Sequence, residues 1–274
     1  MWREHRMAKA KSLRLRDAGF VRRPTVQAAG SAWRTLKDTF TGGFDMKIAF
    51  PARHVLALVA ALSASAVAAE EAAPISANVS LTSDYVWRGE SQSDEDPAIQ
   101  GGFDFVHSSG FYIGTWGSTV AIGDAELELD YYVGYKTELG GFGLDLGLAY
   151  IDYPGSSVDG WPELYISVDK DFGAFSANAG FRFSNDFAAT DENGYYVYLG
   201  GSVPVGPVSL NATVGYTSTD DTGYAGGEDD WLHYQIGVSA SFAGVDFDLS
   251  YHGTDVDDYE LMDDRVVFTV SKSF

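Results

Sequence analysis

The chain has 274 residues, a formal net charge of −21 and no cysteine. So acidic a balance speaks against nucleic-acid binding, which needs a basic footprint. Without cysteine there are no disulfides, no thiol chemistry and no Cys-ligated metal.

Residues 1–45 are basic and carry no strand or helix periodicity. A start codon placed too early accounts for them. The alternative is a long amphipathic targeting extension, because Arg3 to Arg23 is rich in arginine. Residues 46–68 have the form of a secretory signal: Lys47 and Arg53 open it, Val55 to Val67 is a short apolar core, and Ala66-Val67-Ala68 is the cleavage motif. The core falls short of the roughly 20 residues a helix needs to cross a bilayer, so the expectation is export and not anchoring. Removing residues 1–68 leaves 35 acids against 6 bases. Such a surface docks on anionic lipid only with the help of divalent cations.

Residues 69–274 repeat one unit, about ten residues of alternating apolar and polar character followed by Gly, Asp, Ser or Pro. The first strand places Ala77, Val79, Leu81, Tyr85 and Trp87 on one face and Asn78, Ser80, Thr82, Asp84 and Arg88 on the other. Apolar faces follow at Ile99/Phe103/Phe105, Leu127/Leu129/Tyr131/Val133/Tyr135, Leu144/Leu146/Leu148/Tyr150 and Leu164/Ile166/Val168. They continue at Phe175 to Phe183, Val208 to Tyr216, Leu232 to Phe242, Phe247/Leu249/Tyr251 and Val266/Phe268/Val270/Phe274. Two further segments, Phe111–Val120 and Tyr195–Val203, are strands by composition but apolar on both sides. Twelve strands result, an even number.

Connections alternate short and long, as in an outer-membrane barrel with brief periplasmic turns and longer external loops. The exception is the brief loop at Ala121–Asp124. Aromatic residues cluster at strand ends as interface girdles do, with Phe111, Phe175, Phe242, Phe247 and Phe274 on the short-turn side and Tyr85, Trp87, Tyr150, Tyr216 and Tyr251 on the other. Alternation alone also fits a soluble barrel with its apolar face inward. Twelve strands, however, enclose more than these side chains fill, since about eight already bring an interior to side-chain capacity. The apolar faces are almost free of charge, with Lys272 the exception. The predicted fold is therefore an all-β, transmembrane, antiparallel up-and-down barrel facing outer-membrane lipid. Phe274, ending an aromatic strand, resembles the signal by which the barrel-assembly machinery selects its clients.

The segments Ser80 to Ser93 (SLTSDYVWRGESQS), Pro97 to Phe105, Gly110 to Ser118 (GFYIGTWGS), Glu128 to Tyr135 and Asp264 to Phe274 resemble the TorF-type family of proteobacterial outer-membrane porins. The resemblance implies a barrel and passive transport in the outer membrane of a Gram-negative bacterium, without naming a solute. Glu90 departs from the pattern, where an apolar residue is expected after Arg88-Gly89.

No catalytic set emerges. His107, His233 and His252 are the histidines of the exported part, and no Gly-flanked nucleophile accompanies them, so the enzyme expectation is negative, with no cofactor. Acidic loops such as Asp94-Glu95-Asp96 and Glu228-Asp229-Asp230 are candidate sites for divalent cations, though none has EF-hand spacing. The expected pore lining is Asp84, Asp104, Glu126, Glu128 and Asp130 against Arg88, Arg182 and Arg265, with Glu126/Glu128/Asp130 as a negative stripe. Eighteen acids and no Lys or Arg fall in the expected external loops. The function expected is passive diffusion of small hydrophilic solutes with a cation preference. The rival is a closed structural or adhesive barrel with acidic external loops.

Overall fold

The computed structural model describes residues 75–274. The expectations for residues 1–45 and 46–68 lie outside the described residues. Twelve long strands form the wall: β1 (Ile75–Thr82), β4 (Ala98–Val106), β5 (Phe111–Ile122), β6 (Ala125–Leu139), β7 (Phe142–Asp152), β8 (Trp161–Asp171), β9 (Ser176–Ser184), β10 (Gly194–Val205), β11 (Val208–Thr219), β12 (Asp230–Phe242), β13 (Val245–Thr254) and β14 (Arg265–Ser273). Each pairs antiparallel with its neighbours in sequence, and β14 pairs with β1 to close the barrel. Two short strands, β2 (Val86–Trp87) and β3 (Glu90–Ser91), pair only with each other. Closure satisfies the backbone of every wall strand and leaves no open edge.

Alternation decides which side chains face out. Ile99, Leu146, Leu199, Ile236 and Val266 are all exposed on the outside of the wall. Phe242 (76 % exposed) and Phe274 (71 %) mark its short-turn rim. A continuous apolar exterior of this kind suits lipid and not water. Tight reversals keep the short-turn end compact. At Gly140-Gly141 both residues have positive φ, the two-residue turn that matches strand twist.

The two segments expected to be apolar on both faces are strands, but their inward faces differ from that expectation. In β5 and β10 the inward residues include tyrosines and glycines paired across strands. Tyr132 lies opposite Gly114, Tyr112 opposite Gly134, and Tyr198 opposite Gly180. Each ring lies where a Cβ on the glycine would stand. The missing side chain lets the ring lie flat against the wall, and its hydroxyl turns the apolar-looking residue into a polar one.

The first strand corrects the sequence reading. It ends at Thr82, six residues before Arg88, so Tyr85 and Trp87 are not wall residues of the lipid-facing girdle. Asp84 and Arg88 likewise do not project from the wall. Residues 83–97 instead turn inward and carry the β2–β3 hairpin across the long-loop mouth. The first long loop therefore contains an arginine, against the expectation of loops without bases.

Candidate functional site at the long-loop mouth

Twelve strands about 4.8 Å apart and tilted about 40° give a backbone cylinder about 24 Å across. The hairpin spans that width. Its tip, Arg88-Gly89, has φ of +50 and +92, the two-residue reversal again, but with an arginine in the left-handed region. Gly89 packs so tightly that an added Cβ would stand 2.5 Å from Thr254 Cγ2 and 2.9 Å from His233 Cβ, on β13 and β12. From the same tip Arg88 reaches β8, where its guanidinium bonds Glu163.

That ion pair is buried, the two side chains being 4 % and 7 % exposed. Arg182 on β9 also bonds Glu163, at 3.1 Å, so one carboxylate holds two guanidinium groups. Aromatic faces take up the rest of the Arg88 charge: Trp87 lies 4.2 Å and Tyr196 4.4 Å from Cζ. Trp231 Nε1 donates to the Arg88 carbonyl at 2.9 Å. At the root of the hairpin, Asp84 accepts from Ser91 Oγ at 2.6 Å, Ser93 Oγ at 2.9 Å and Arg265 Nη1 at 2.8 Å. Arg265 also pairs with Glu95 at 3.4 Å.

Apolar packing fills the mouth on both sides of this bar. One cluster joins Val120, Ala125, Ile151 and Trp161 from the wall and Tyr153 from the loop after β7, with Tyr85 and Trp87 against it. The other joins Phe187, Ala225, Trp231, Val256 and Met262 from three long loops and β12, again with Trp87 against it. Trp87 stacks on Phe187 at 5.6 Å and meets Trp161 edge-on at 5.9 Å, which makes it the shared member of both clusters. Phe187 and Trp231 are fully buried. The lumen is thus capped at the long-loop end by a small core of its own.

Glu90, the residue that departed from the expected pattern, lies buried in this cap. Tyr259 donates to it at 3.0 Å and Tyr224 at 3.1 Å, which satisfies the carboxyl where an apolar side chain was expected. Burial pushes its pKa up, against the hydrogen bonds from Tyr259, Tyr224 and Gln92 and the Arg265 charge. Burial also raises Glu95 and Asp255. A raised carboxyl binds its proton more tightly in the closed cap than in the opened one. Its contribution is therefore complete below the ordinary carboxylate range and is lost as pH rises through the raised value. Tryptophan fluorescence and loop proteolysis should show the cap loosening between acid and neutral pH, with a smaller dependence in Glu90→Gln; an unchanged profile in that variant would remove Glu90 from the effect.

Below the cap the lumen is polar, and the expected lining falls into three groups. Asp104 and Asp130 face the bore. Tyr132 Oη donates to Asp104 at 2.7 Å, while Asp130 Oδ1 has no hydrogen-bond partner among the described residues. Glu128 is tied to Tyr85 at 2.8 Å at the underside of the cap. Glu126 is exposed near the β5–β6 bulge, so the three acids run from rim to interior and do not form a uniform stripe. Arg182 and Arg265 are lumen-facing as expected, but both are committed to ion pairs near the hairpin. Asp145, also on the inward face, accepts from Tyr112 at 2.6 Å and lies 3.7 Å from Lys136. Sequence reasoning missed the hub role of Glu163 and the partners Tyr224, Tyr259 and Trp231. Among the described residues no group of three or more His, Asp or Glu could hold a metal ion.

The fold and this geometry define a closed, twelve-stranded antiparallel barrel, apolar outside and polar inside, with an ion-paired hairpin across one mouth. The chain belongs to the family described as a bacterial protein of unknown function (Gcw_chp), whose model matches residues 66–274. The narrower TorF-type likeness remains a resemblance. No curated protein matches the chain in sequence. Among solved structures it is similar to the NanC porin, at 10 % identity and a TM-score of 0.49, covering 72 % of this chain and 98 % of that one. It is similar to the KdgM porin at 8 % identity and 0.49, covering 73 % and 98 %. A third similar structure is the COG4313 outer membrane channel from Pseudomonas putida F1, at 14 % identity and 0.44, covering 75 % and 97 %.

Proposed function

We propose that the protein is a porin-type channel of the outer membrane of a Gram-negative bacterium, passing small hydrophilic solutes by passive diffusion and preferring cations. One observation carries this reading: a closed barrel about 24 Å across, apolar on its outside, has an inward face of carboxylates, hydroxyls and amides. Inward acids outnumber inward bases, with Asp104, Glu128, Asp130, Asp145, Glu163 and Asp248 facing Lys136, Arg182 and Arg265. The reading includes the barrel-assembly machinery as the partner that inserts the barrel, with β14 and Phe274 as its contact, and divalent cations held diffusely by the external loop acids. A second reading, a closed structural or adhesive barrel, draws support from the two buried clusters at the mouth.

Planar-bilayer recording separates the two. Discrete conductance steps from the purified, heat-modifiable protein are the expected result. Electrically silent but fully folded protein, with or without its cap, would favour the closed barrel.

A further inference from the structure

We infer that residues 83–97 are a removable plug: a hairpin that closes the long-loop mouth and withdraws as a unit when the Arg88–Glu163 and Arg265–Asp84 pairs part. This rests on the channel reading above. Four observations support it.

First, β1 and β4 are paired neighbours, and a connection of two to five residues suffices between such strands. This one uses fifteen, and the excess crosses the bore. Second, β2 and β3 add no strand to the wall and bond only each other in the sheet sense. Leaving would break two backbone bonds to the wall, Ser83 N–H to Phe268 and Ala121 N–H to Gln92, but no pairing between wall strands. Third, of the three arginines in residues 75–274, Arg88 and Arg265 pair with carboxylates across the boundary between hairpin and wall, and Arg182 shares Glu163 with Arg88 from within the wall. Fourth, the hairpin is held largely by polar groups: Asp84, Arg88, Glu90, Ser91, Gln92 and Ser93 are all buried. Groups of that kind regain hydration when exposed, so withdrawal has a compensating term that a purely apolar plug would lack.

The tip conformation agrees with a held state. Arg88 has positive φ, a region costly for a side chain with a Cβ, and its backbone is fixed by the Trp231 bond and by Gly89 wedged between β12 and β13. Release of the tip relieves that strain. The moving body would carry Trp87 with it, and Trp87 is the residue common to both apolar clusters. Withdrawal therefore opens both sides of the mouth at once.

The test uses the full chain, expressed with its leader, extracted from outer membranes and recorded in planar bilayers, with heat-modifiability required of every sample. The chain has no cysteine, so Arg88→Cys with Glu163→Cys provides a clean pair. A flexible bis(methanethiosulfonate) reagent, which forms a reducible disulfide with each thiol and releases methanesulfinate, then spans the space left by the two long side chains. Unbridged, the variant should show several-fold greater time-averaged conductance than the native protein. Bridging should return it to the native level, and reduction should restore the increase. In a second variant, residues 84–96 are replaced by a short Gly-Ser turn, and constant high conductance is expected. Native conductance equal to that of the turn variant, or indifference to bridging, would overturn the plug while the channel stands. A folded turn variant that does not conduct would overturn the channel reading and the plug with it.

Discussion

Replacing Glu163 by alanine is expected to release the hairpin and cost the cap about 3–5 kcal/mol, the usual loss when one partner of a buried ion pair is removed. The magnitude follows from what is left behind. Arg88 would stay under the loop clusters with no carboxylate, and Arg182 would lose the same partner. Arg88→Ala should cost less, because Glu163 keeps Arg182 at 3.1 Å. This asymmetry separates a hub from a simple pair. Chymotrypsin reads it in both variants through Tyr85 and Trp87, and trypsin reads Glu163→Ala through Arg88, the one Lys or Arg between residues 75 and 135. The folded native protein should resist cleavage after Arg88, and Glu163→Ala should be cut there while the barrel stays heat-modifiable. Replacing both members with methionine, which removes the tryptic site, should restore resistance to chymotrypsin at Tyr85 and Trp87, since an apolar pair of similar volume often matches or exceeds a buried ion pair. Equal loss from the two alanine variants would mean that Glu163 acts through Arg88 alone.

The channel is expected to be cation-selective, with the selectivity set chiefly inside the bore. A unit charge about 6 Å from a passing ion is worth about 3 kcal/mol at an effective dielectric of 20, but under about 1 kcal/mol in bulk water. Loop acids act through water and are screened over about 8 Å at physiological salt. Wall acids in the narrower, drier lumen are screened less. Of the three acids, Asp130 stands furthest inside with an unengaged oxygen, Glu128 is tied to Tyr85, and Glu126 is exposed at the rim. Reversal potentials in a salt gradient should therefore move toward zero when Glu126, Glu128 and Asp130 become Gln, Gln and Asn. Asp130→Asn alone should give the largest single share, and neutralised loop acids a smaller one. Anion selectivity in the native protein, or no response to the triple change, would remove these acids from the mechanism.

Most of the wall was legible in the sequence, because its determinants are local. Period-two alternation assigns Ile236 to the outside and Gln235 to the inside without knowledge of any partner, and glycine-rich reversals such as Gly140-Gly141 mark where strands end. Even the two strands that read as apolar on both faces were recognised as strands. Their tyrosines were misjudged because a tyrosine counts as apolar in a pattern, while its hydroxyl, once the ring lies over a glycine, faces the lumen.

The mouth was not legible, for a physical reason. Asp84/Tyr85/Trp87/Arg88 keeps the same alternation as the strand before it, since a hairpin packed between polar and apolar surroundings needs two faces just as a wall strand does. Pattern alone cannot tell a plug from a wall. The departure at Glu90 was the one visible sign, and its meaning depends on Tyr224 and Tyr259, which lie 134 and 169 residues away along the chain. Arg88 and Glu163 are 75 residues apart, and Arg88 and Trp231 are 143 apart. Such pairs come together only when β14 closes on β1 and brings opposite walls within reach of one hairpin. The sequence by itself determined the barrel, its strands and the side that meets lipid, because those follow from each strand's own two faces. Closure alone decided that Arg88 would meet Glu163, and Arg265 would meet Asp84, at one end of the bore, because those meetings depend on which strands stand within reach of the hairpin across it.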